Sequence, residues 1–131
     1  MEITLVLDTN AYSDWRRFGY WKETLAHSDK ILVPVVVMGE LIHGFKDGNR
    51  LNHNLSKLDS FLDEPQVKQP EFTRHTAEIY ADFLHYLRNN GTPIPTNDIW
   101  IAACAYQHNA LLLTRDSHFE YLPQVKVKFE E

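Results

Sequence analysis

Short apolar runs alternate along the chain with longer segments in which apolar residues recur every three or four positions. Four short runs bounded by turn-forming or polar residues predict buried strands: residues 3–7, 31–33, 111–113 and 125–129. A weaker extended stretch surrounds Val67. Since parallel strands need crossover connections and bury both faces, this alternation predicts an α/β fold with a central parallel sheet.

Three segments carry the helical periodicity. One apolar stripe spans residues 51–62, and a second spans residues 77–87 and ends at Asn90-Gly91. A third helix contains residues 100–105, and its predicted N-caps are Thr96 and Asn97. No internal repeat or linker separates these elements, and the length suits one core, so we expect one domain spanning residues 1–131.

Four acidic residues are candidates for a single site. Asp8 directly follows the first strand and Asp116 follows a later one, so both should lie at the carboxyl edge of the sheet, where ligands bind. Glu40 lies early in the helical run after the second strand, and Asp98 lies in the first turn of the helix after Pro95. Each acid alone could cap a helix or begin a turn. Their coincidence at one edge favours a functional site.

The chemistry of such a cluster is that of a divalent metal site. Carboxylates within about 4 to 5 Å repel by roughly 3 to 4 kcal/mol per pair at an effective dielectric of 20, so the cluster needs cations or protons. Oxygen ligands select hard ions such as Mg²⁺ or Mn²⁺, which support phosphodiester hydrolysis. The seven histidines include no close helical pair of the kind that binds zinc, and the sequence contains no calcium loop or glycine-rich phosphate loop.

Charge and composition restrict the function without deciding it. The net charge of −5 counts against binding nucleic acid through charge alone, although bound divalent ions would offset it. No apolar run reaches membrane-spanning length and the start lacks signal-peptide features, so we expect a cytoplasmic protein that makes no membrane contact. Cys104 lies among alanines, and we expect it to be a packed helix residue without a disulfide.

Four motifs together resemble the PIN-domain ribonucleases, most closely the VapC toxins of bacterial and archaeal toxin-antitoxin pairs. In chain order these are LDTN at 7–10, GEL at 39–41 with Gly44, NDIWIAA at 97–103 and LTRDSHF at 113–119. The resemblance extends over nearly the whole chain. It implies a three-layer α/β/α sandwich and a metal-dependent endoribonuclease.

The resemblance also implies roles for residues and partners. The four acidic metal-site positions of the family, with none missing, map onto Asp8, Glu40, Asp98 and Asp116. Thr114 and Asn10 would support the site by hydrogen bonds to carboxylates or metal-bound waters. Members of the family act on RNAs such as transfer or ribosomal RNA, often form homodimers, and are inhibited by a cognate antitoxin. We expect the same substrate class and partners here.

A stretch rich in cations and aromatic residues, WRRFGYWK at 15–22, follows Asp8 closely and contains Arg16, Arg17 and Lys22. Cations hold phosphates and exposed aromatic rings stack on unpaired bases, so the stretch is a predicted RNA contact. The same rings could equally belong to the core or to a protein interface. Arg115 is a further candidate substrate contact.

Two other functions remain open. A haloacid-dehalogenase-like phosphatase uses an Asp after the first strand as its nucleophile, but that pattern needs a second Asp where Asn10 stands. A non-catalytic α/β module would bind RNA or protein through the basic and aromatic stretch alone, and its function would survive EDTA. The nuclease interpretation differs from both because it makes use of all four acids.

Overall fold

The computed structural model describes residues 2–130, and its centre is a sheet of five parallel strands. In chain order the strands are β1 (Thr4–Leu7), β2 (Lys30–Leu32), β3 (Val67–Lys68), β4 (Leu111–Thr114) and β5 (Val127–Phe129). Their spatial order is β3-β2-β1-β4-β5, and every pairing is parallel. The predicted α/β class and parallel sheet are therefore confirmed.

Helices connect the strands up to β4. Within residues 2–130 they are α1 (Thr9–Phe18), α2 (Lys22–Ala26), α3 (Val35–Asp47), α4 (Leu51–Leu62), α5 (Arg74–Asn89) and α6 (Thr96–Gln107). A short 3₁₀ helix, Ser117–Tyr121, follows β4. None of the helices in this part of the chain is long and apolar enough to cross a membrane.

The core lies where α1 and α6 pack against β1 and β4. Leu5, Val6 and Leu7 of β1 are fully buried, as expected for a strand covered on both faces. Residues 101–105 of α6 are also all buried, because alanines and Cys104 let the helix approach its neighbours closely. Cys104 is unpaired, as predicted, and burial raises the pKa of its thiol to about 12.

Two local predictions were wrong. The predicted strand at 125–129 begins only at Val127, because the Val125 N–H bonds to the Leu122 carbonyl in a turn. Helix α6 begins at Thr96 with Pro95 at its N-cap position, so neither Thr96 nor Asn97 is the N-cap. The Asn97 amide instead donates a hydrogen bond to Glu40 Oε2 at 3.3 Å.

The strand order creates a switch point between β1 and β4. From β1 the chain moves outward through β2 to β3, and it then returns to the other side of β1 as β4. Loops that leave the carboxyl ends of two such neighbouring strands diverge and open a crevice between them. Leu7 of β1 pairs in register with Leu113 of β4, so the next residues, Asp8 and Thr114, meet at this crevice.

Candidate active site

Asp8 occupies the buried end of the crevice, with only 4% of its surface exposed. It caps α1, because Oδ1 accepts a hydrogen bond from the Ala11 N–H at 2.7 Å, and Oδ2 accepts one from the Thr114 hydroxyl. Burial raises the pKa of Asp8 to about 6, although both hydrogen bonds oppose the shift. The charges of Asp98 and Asp116 raise it further, so these acids lie close enough to repel.

Asp116 and Asp98 converge on the same crevice from different elements. Asp116 caps the 3₁₀ helix, since its Oδ1 accepts from the His118 N–H at 2.9 Å, and its own N–H donates to Thr114 Oγ1 at 2.9 Å. Asp98 lies in the first turn of α6. The Nδ1 atom of His118 is 3.1 Å from Asp116 Oδ1 and 3.7 Å from Asp98 Oδ2.

Asp98 lies between Asp116 and Glu40, and both acids affect its pKa. Burial raises the pKa of Asp98 to about 6, and the charges of Asp116 and Glu40 add to the shift while the nearby His118 opposes it. Asp98 therefore lies near acids on both sides. A carboxyl with a pKa this high is costly to ionise unless a cation joins it.

Glu40 forms the more exposed end of the cluster. It lies in the second turn of α3, where one carboxylate oxygen accepts from the Thr9 hydroxyl at 2.5 Å. The other oxygen accepts from the Asn97 side chain at 3.3 Å. Residues at the starts of α1 and α6 thus hold Glu40 in place.

Three residues at this site had no role in the acidic cluster predicted for them. Thr9 directly follows Asp8 in the LDTN motif, and His118 lies two residues after Asp116 in the LTRDSHF motif. Sequence spacing alone does not show where their side chains point. Asn97 had been interpreted as a cap. Asn10 is exposed, and within residues 2–130 its side chain forms no hydrogen bond to the four acids, so its supporting role stays a prediction.

The chemistry of the site fits a divalent metal ion. Within the described part of the chain, no Lys or Arg forms an ion pair with any of the four acids. One ligand atom each from Asp98, Asp116 and His118 lie within 4.8 Å of one another, a spacing that a single ion can bridge. His118 Nδ1 is buried and makes no well-aligned hydrogen bond in residues 2–130. The acidic cluster can therefore bind a divalent metal.

The predicted substrate contacts fall into two groups. Arg16 and Arg17 line a cleft next to Glu40. Lys22 is exposed at the start of α2 and is not among the residues that line the cleft. Arg115 lies outside the cleft lining as well, and it pairs with Asp14 at 3.4 Å.

The aromatic residues of the same stretch are mostly packed. Trp21 is 4% exposed, and the Trp15 ring lies 5.0 Å from that of Phe61. Phe18 differs, since 56% of its surface is exposed. Of the four aromatic residues in this stretch, Trp15, Tyr20 and Trp21 are at least half-buried, and Phe18 alone is exposed.

Comparison with known proteins identifies the fold and its relatives. The PIN domain family matches residues 5–124 of the chain. The chain belongs to the PIN-domain family. Ribonuclease VapC2 of Rickettsia felis is 30% identical over 104 residues, which cover 79% of this chain and 76% of that protein. Ribonuclease VapC4 of Mycobacterium tuberculosis is 28% identical over 95 residues, covering 72% and 73%.

The solved structures contain the same architecture. A chain in the crystal structure of VapBC2 from Rickettsia felis, bound to a DNA fragment from its promoter, superposes with a TM-score of 0.84 at 26% identity. The superposition covers 98% of this PIN domain and 100% of that chain. The three-layer α/β/α sandwich and the VapC-like resemblance are thereby confirmed.

Family membership and the sequence both count against the phosphatase alternative. The chain belongs to the PIN-domain family, and Asn10 stands where a haloacid-dehalogenase-like mechanism needs a second Asp. A module that binds without catalysis would leave the acidic cluster without a purpose.

Proposed function

We propose that this PIN domain is a divalent-metal-dependent endoribonuclease and the toxin of a VapBC-type toxin-antitoxin pair. The observation that carries the proposal is a cluster of carboxylates at the sheet switch point that no Lys or Arg of residues 2–130 neutralises. The relatives named as VapC ribonucleases support the substrate class. The proposed metal ligands are Asp8, Glu40, Asp98 and Asp116.

Mg²⁺ or Mn²⁺ bound there would polarise the scissile phosphate, activate a water and stabilise the leaving oxygen. The residues of the chain itself position the ligands. The Thr114 hydroxyl orients Asp8, and the Thr9 hydroxyl and Asn97 amide orient Glu40. Outer hydrogen bonds of this kind keep ligand atoms directed at a metal and sustain affinity and activity.

Metal-dependent cleavage of RNA is the direct test. The purified protein should cut single-stranded RNA with Mg²⁺ or Mn²⁺, leave 5′-phosphorylated fragments, and lose this activity in EDTA. Asp98→Asn should abolish cleavage, whereas Asp82→Asn on the exposed surface of α5 should leave it unchanged. Cleavage that persists in EDTA, or an active Asp98→Asn variant, would contradict the proposal.

The proposed partner is a cognate antitoxin in the same cytoplasm. Solved VapBC complexes support this assignment, and so does the charge of the site, because a partner's Arg or Lys can neutralise carboxylates that the chain leaves unpaired. Expression of this chain in a bacterial host should arrest growth, and co-expression of a short neighbouring reading frame should relieve the arrest and suppress RNA cleavage. Persistent arrest with that frame expressed would exclude it as the antitoxin. Homodimer formation stays a prediction.

A further inference from the structure

A cleft of about 590 Å³ lies next to Glu40 and is lined by residues of α1, α3 and α4. Its basic residues are Arg16 and Arg17 from α1, together with Arg50, His53 and Lys57. Arg50 precedes the first residue of α4, and the spacings of three and four residues place this set on one face of the helix. Leu58 and Phe61 of α4 are buried, whereas Arg50, His53 and Lys57 are exposed, so these three side chains can contact a ligand.

The cations of the cleft are not neutralised by acidic side chains. Among the residues that the structure describes, Arg16, Arg17, Arg50 and Lys57 form no ion pair. Glu40 is the only acidic residue in the described lining. The charge of Arg50 lowers the pKa of the exposed His53, and desolvation and then the charge of Lys57 lower it further. A protein of net charge −5 has thus assembled a local positive surface beside its acidic site.

Arg16 is held in a fixed orientation within this surface. Its guanidinium lies 4.3 Å from the Trp15 ring centroid and 5.4 Å from that of Phe61. It also donates a hydrogen bond to the Lys57 carbonyl at 3.4 Å, which joins α1 to α4. A planar, oriented guanidinium suits a phosphate better than a mobile ammonium does.

We propose that this cleft binds the phosphates of the RNA strand next to the scissile bond, with Arg16, Arg50 and Lys57 as the main contacts. The inference rests on the proposed function, which it deepens by assigning a path for the substrate. The cleft reaches Glu40 and Thr9, so a strand lying in it would lead directly into the acidic cluster.

The lining favours RNA over an acidic protein segment. A peptide needs apolar anchor sites at the centre of its interface. Tyr12 and Leu41 of the lining are only 4% and 3% exposed, so they offer a peptide little apolar surface. Phe45 is the one remaining apolar side chain of the described lining, and it is half-buried. Apart from Gly44 and the acidic Glu40, the other lining residues are polar or basic, as expected for a groove that follows a phosphate backbone.

The test compares two double variants of the full chain. Arg50→Gln with Lys57→Gln removes two cleft charges, and Arg88→Gln with Lys126→Gln removes two exposed charges elsewhere. Binding of a fluorescent single-stranded RNA 12-mer is titrated at several KCl concentrations in EDTA, so that no cleavage occurs. The cleft variant should bind about tenfold more weakly at 0.1 M salt, and its slope of log affinity against log salt should be shallower by about 1.4. The control pair should keep the wild-type slope.

A second substrate separates this inference from the proposed function. Wild type should cleave bis(p-nitrophenyl) phosphate with Mn²⁺ whatever the cleft binds, because that small diester does not extend into the cleft, whereas the KM for RNA should rise in the cleft variant. A wild-type protein that cleaves neither substrate would overturn the proposed function, and the slopes in EDTA would still decide whether the cleft binds RNA.

Two results would overturn the cleft assignment. One is a wild-type salt slope for RNA in the Arg50→Gln, Lys57→Gln variant. The other concerns poly-glutamate, which serves as a probe for an acidic protein segment. If wild type binds poly-glutamate and the cleft variant does not, while both bind RNA equally, the cleft binds an acidic protein segment. Thermal melts of both double variants should match wild type, since all four positions are exposed.

Discussion

The acidic crevice and the basic cleft are neighbours, but the protein builds them in opposite ways. Asp8 has a short, buried side chain that hydrogen bonds from Ala11 and Thr114 hold in place, and neighbouring acids repel its charge. Arg50 and Lys57 extend from an exposed helix face on long side chains, without ion-pair partners in residues 2–130. The crevice therefore imposes a stability cost on the metal-free fold, whereas the cleft imposes little.

The difference shows where each kind of function can be encoded. Metal ligation requires positions set within fractions of an ångström, so the crevice is built from strand ends and helix caps. Phosphate binding tolerates side-chain motion and acts over several ångströms, so it can be placed on an outer helix face. Substitutions in the crevice should change catalysis and apo stability together, and those in the cleft should change binding alone.

The largest expected effect is on activity, from Glu40→Gln. Removing one charge from the proposed metal site should reduce RNA cleavage by about 1,000-fold, or about 4 kcal/mol, because several kcal/mol of charge stabilisation depend on the metal. The fold should persist, since Glu40 is only half-buried and an amide can still accept from Thr9. Glu78→Gln on the exposed surface of α5 is the matched control. Near-normal cleavage by Glu40→Gln would remove Glu40 from the site.

The next effect is on stability in EDTA as a function of pH. The pKa of Asp8 rises on folding from 3.8 to about 6 because of burial and neighbouring acids. The folded state then holds the proton more tightly, so this contribution is present below about pH 4 and is lost as the pH rises through 6. At about 1.4 kcal/mol per unit, wild type should lose up to about 3 kcal/mol relative to Asp8→Asn between pH 4 and 7.

Urea unfolding of both proteins across this range measures the difference. Asp8→Asn carries no titrating group at this position, so any constant cost of altered hydrogen bonds cancels from the pH dependence. Adding Mg²⁺ at pH 7 should restabilise wild type and not the variant, because only the intact site binds the ion tightly. Parallel pH curves for the two proteins would show that the crevice does not strain the fold.

The sequence predicted the crevice well for a definite physical reason. Asp8 and Asp116 follow strands, and parallel strands bring their carboxyl ends to one edge, so position along the chain indicates position in space. Side-chain direction within a turn has no such signal. His118 was therefore missed, although it lies two residues from Asp116 and contacts it at 3.1 Å.

Thr114→Val should have an intermediate effect on stability. The hydroxyl is fully buried, donates to Asp8 and accepts from the Asp116 N–H, so its removal leaves two groups unsatisfied and should cost about 1 to 3 kcal/mol. Thr114→Ser should recover most of this, whereas Thr4→Val at the partly exposed start of β1 should cost little. A Val variant as stable as wild type would mean that these hydrogen bonds do not support the crevice.

The smallest expected effect is that of Arg16→Lys in the cleft. The charge is kept, but the contact with Trp15 and the bond to the Lys57 carbonyl are lost, so RNA affinity should fall about two- to fivefold, or about 0.5 to 1 kcal/mol. Stability should change by less than about 0.5 kcal/mol. Arg17→Lys is the control, since Arg17 lies farther from its ring, at 5.8 Å from Phe18. Equal RNA binding by the two variants would show that the orientation of Arg16 has no role.

The cleft was only half predictable from the sequence. The cations of residues 15–22 stand out as a cluster, but Arg50 and Lys57 lie some 35 to 40 positions further along, and only packing of α1 beside α4 brings them together. The face of α4 that carries Arg50, His53 and Lys57 could have been found from its spacing, opposite the apolar stripe of the helix. The same packing explains why most aromatic rings of the stretch are unavailable to bases.

The pairing of Leu7 with Leu113 has a consequence for how the protein can change over evolution. Adjacent strand residues are about 3.3 Å apart and face opposite sides of the sheet, so a slip of one position between β1 and β4 would separate Asp8 from Thr114 and reverse their directions. Insertions and deletions therefore cannot accumulate inside either strand. They can accumulate in the loop that precedes Leu111 or in the segment that follows the 3₁₀ helix, where length changes leave the alignment of the two strands untouched.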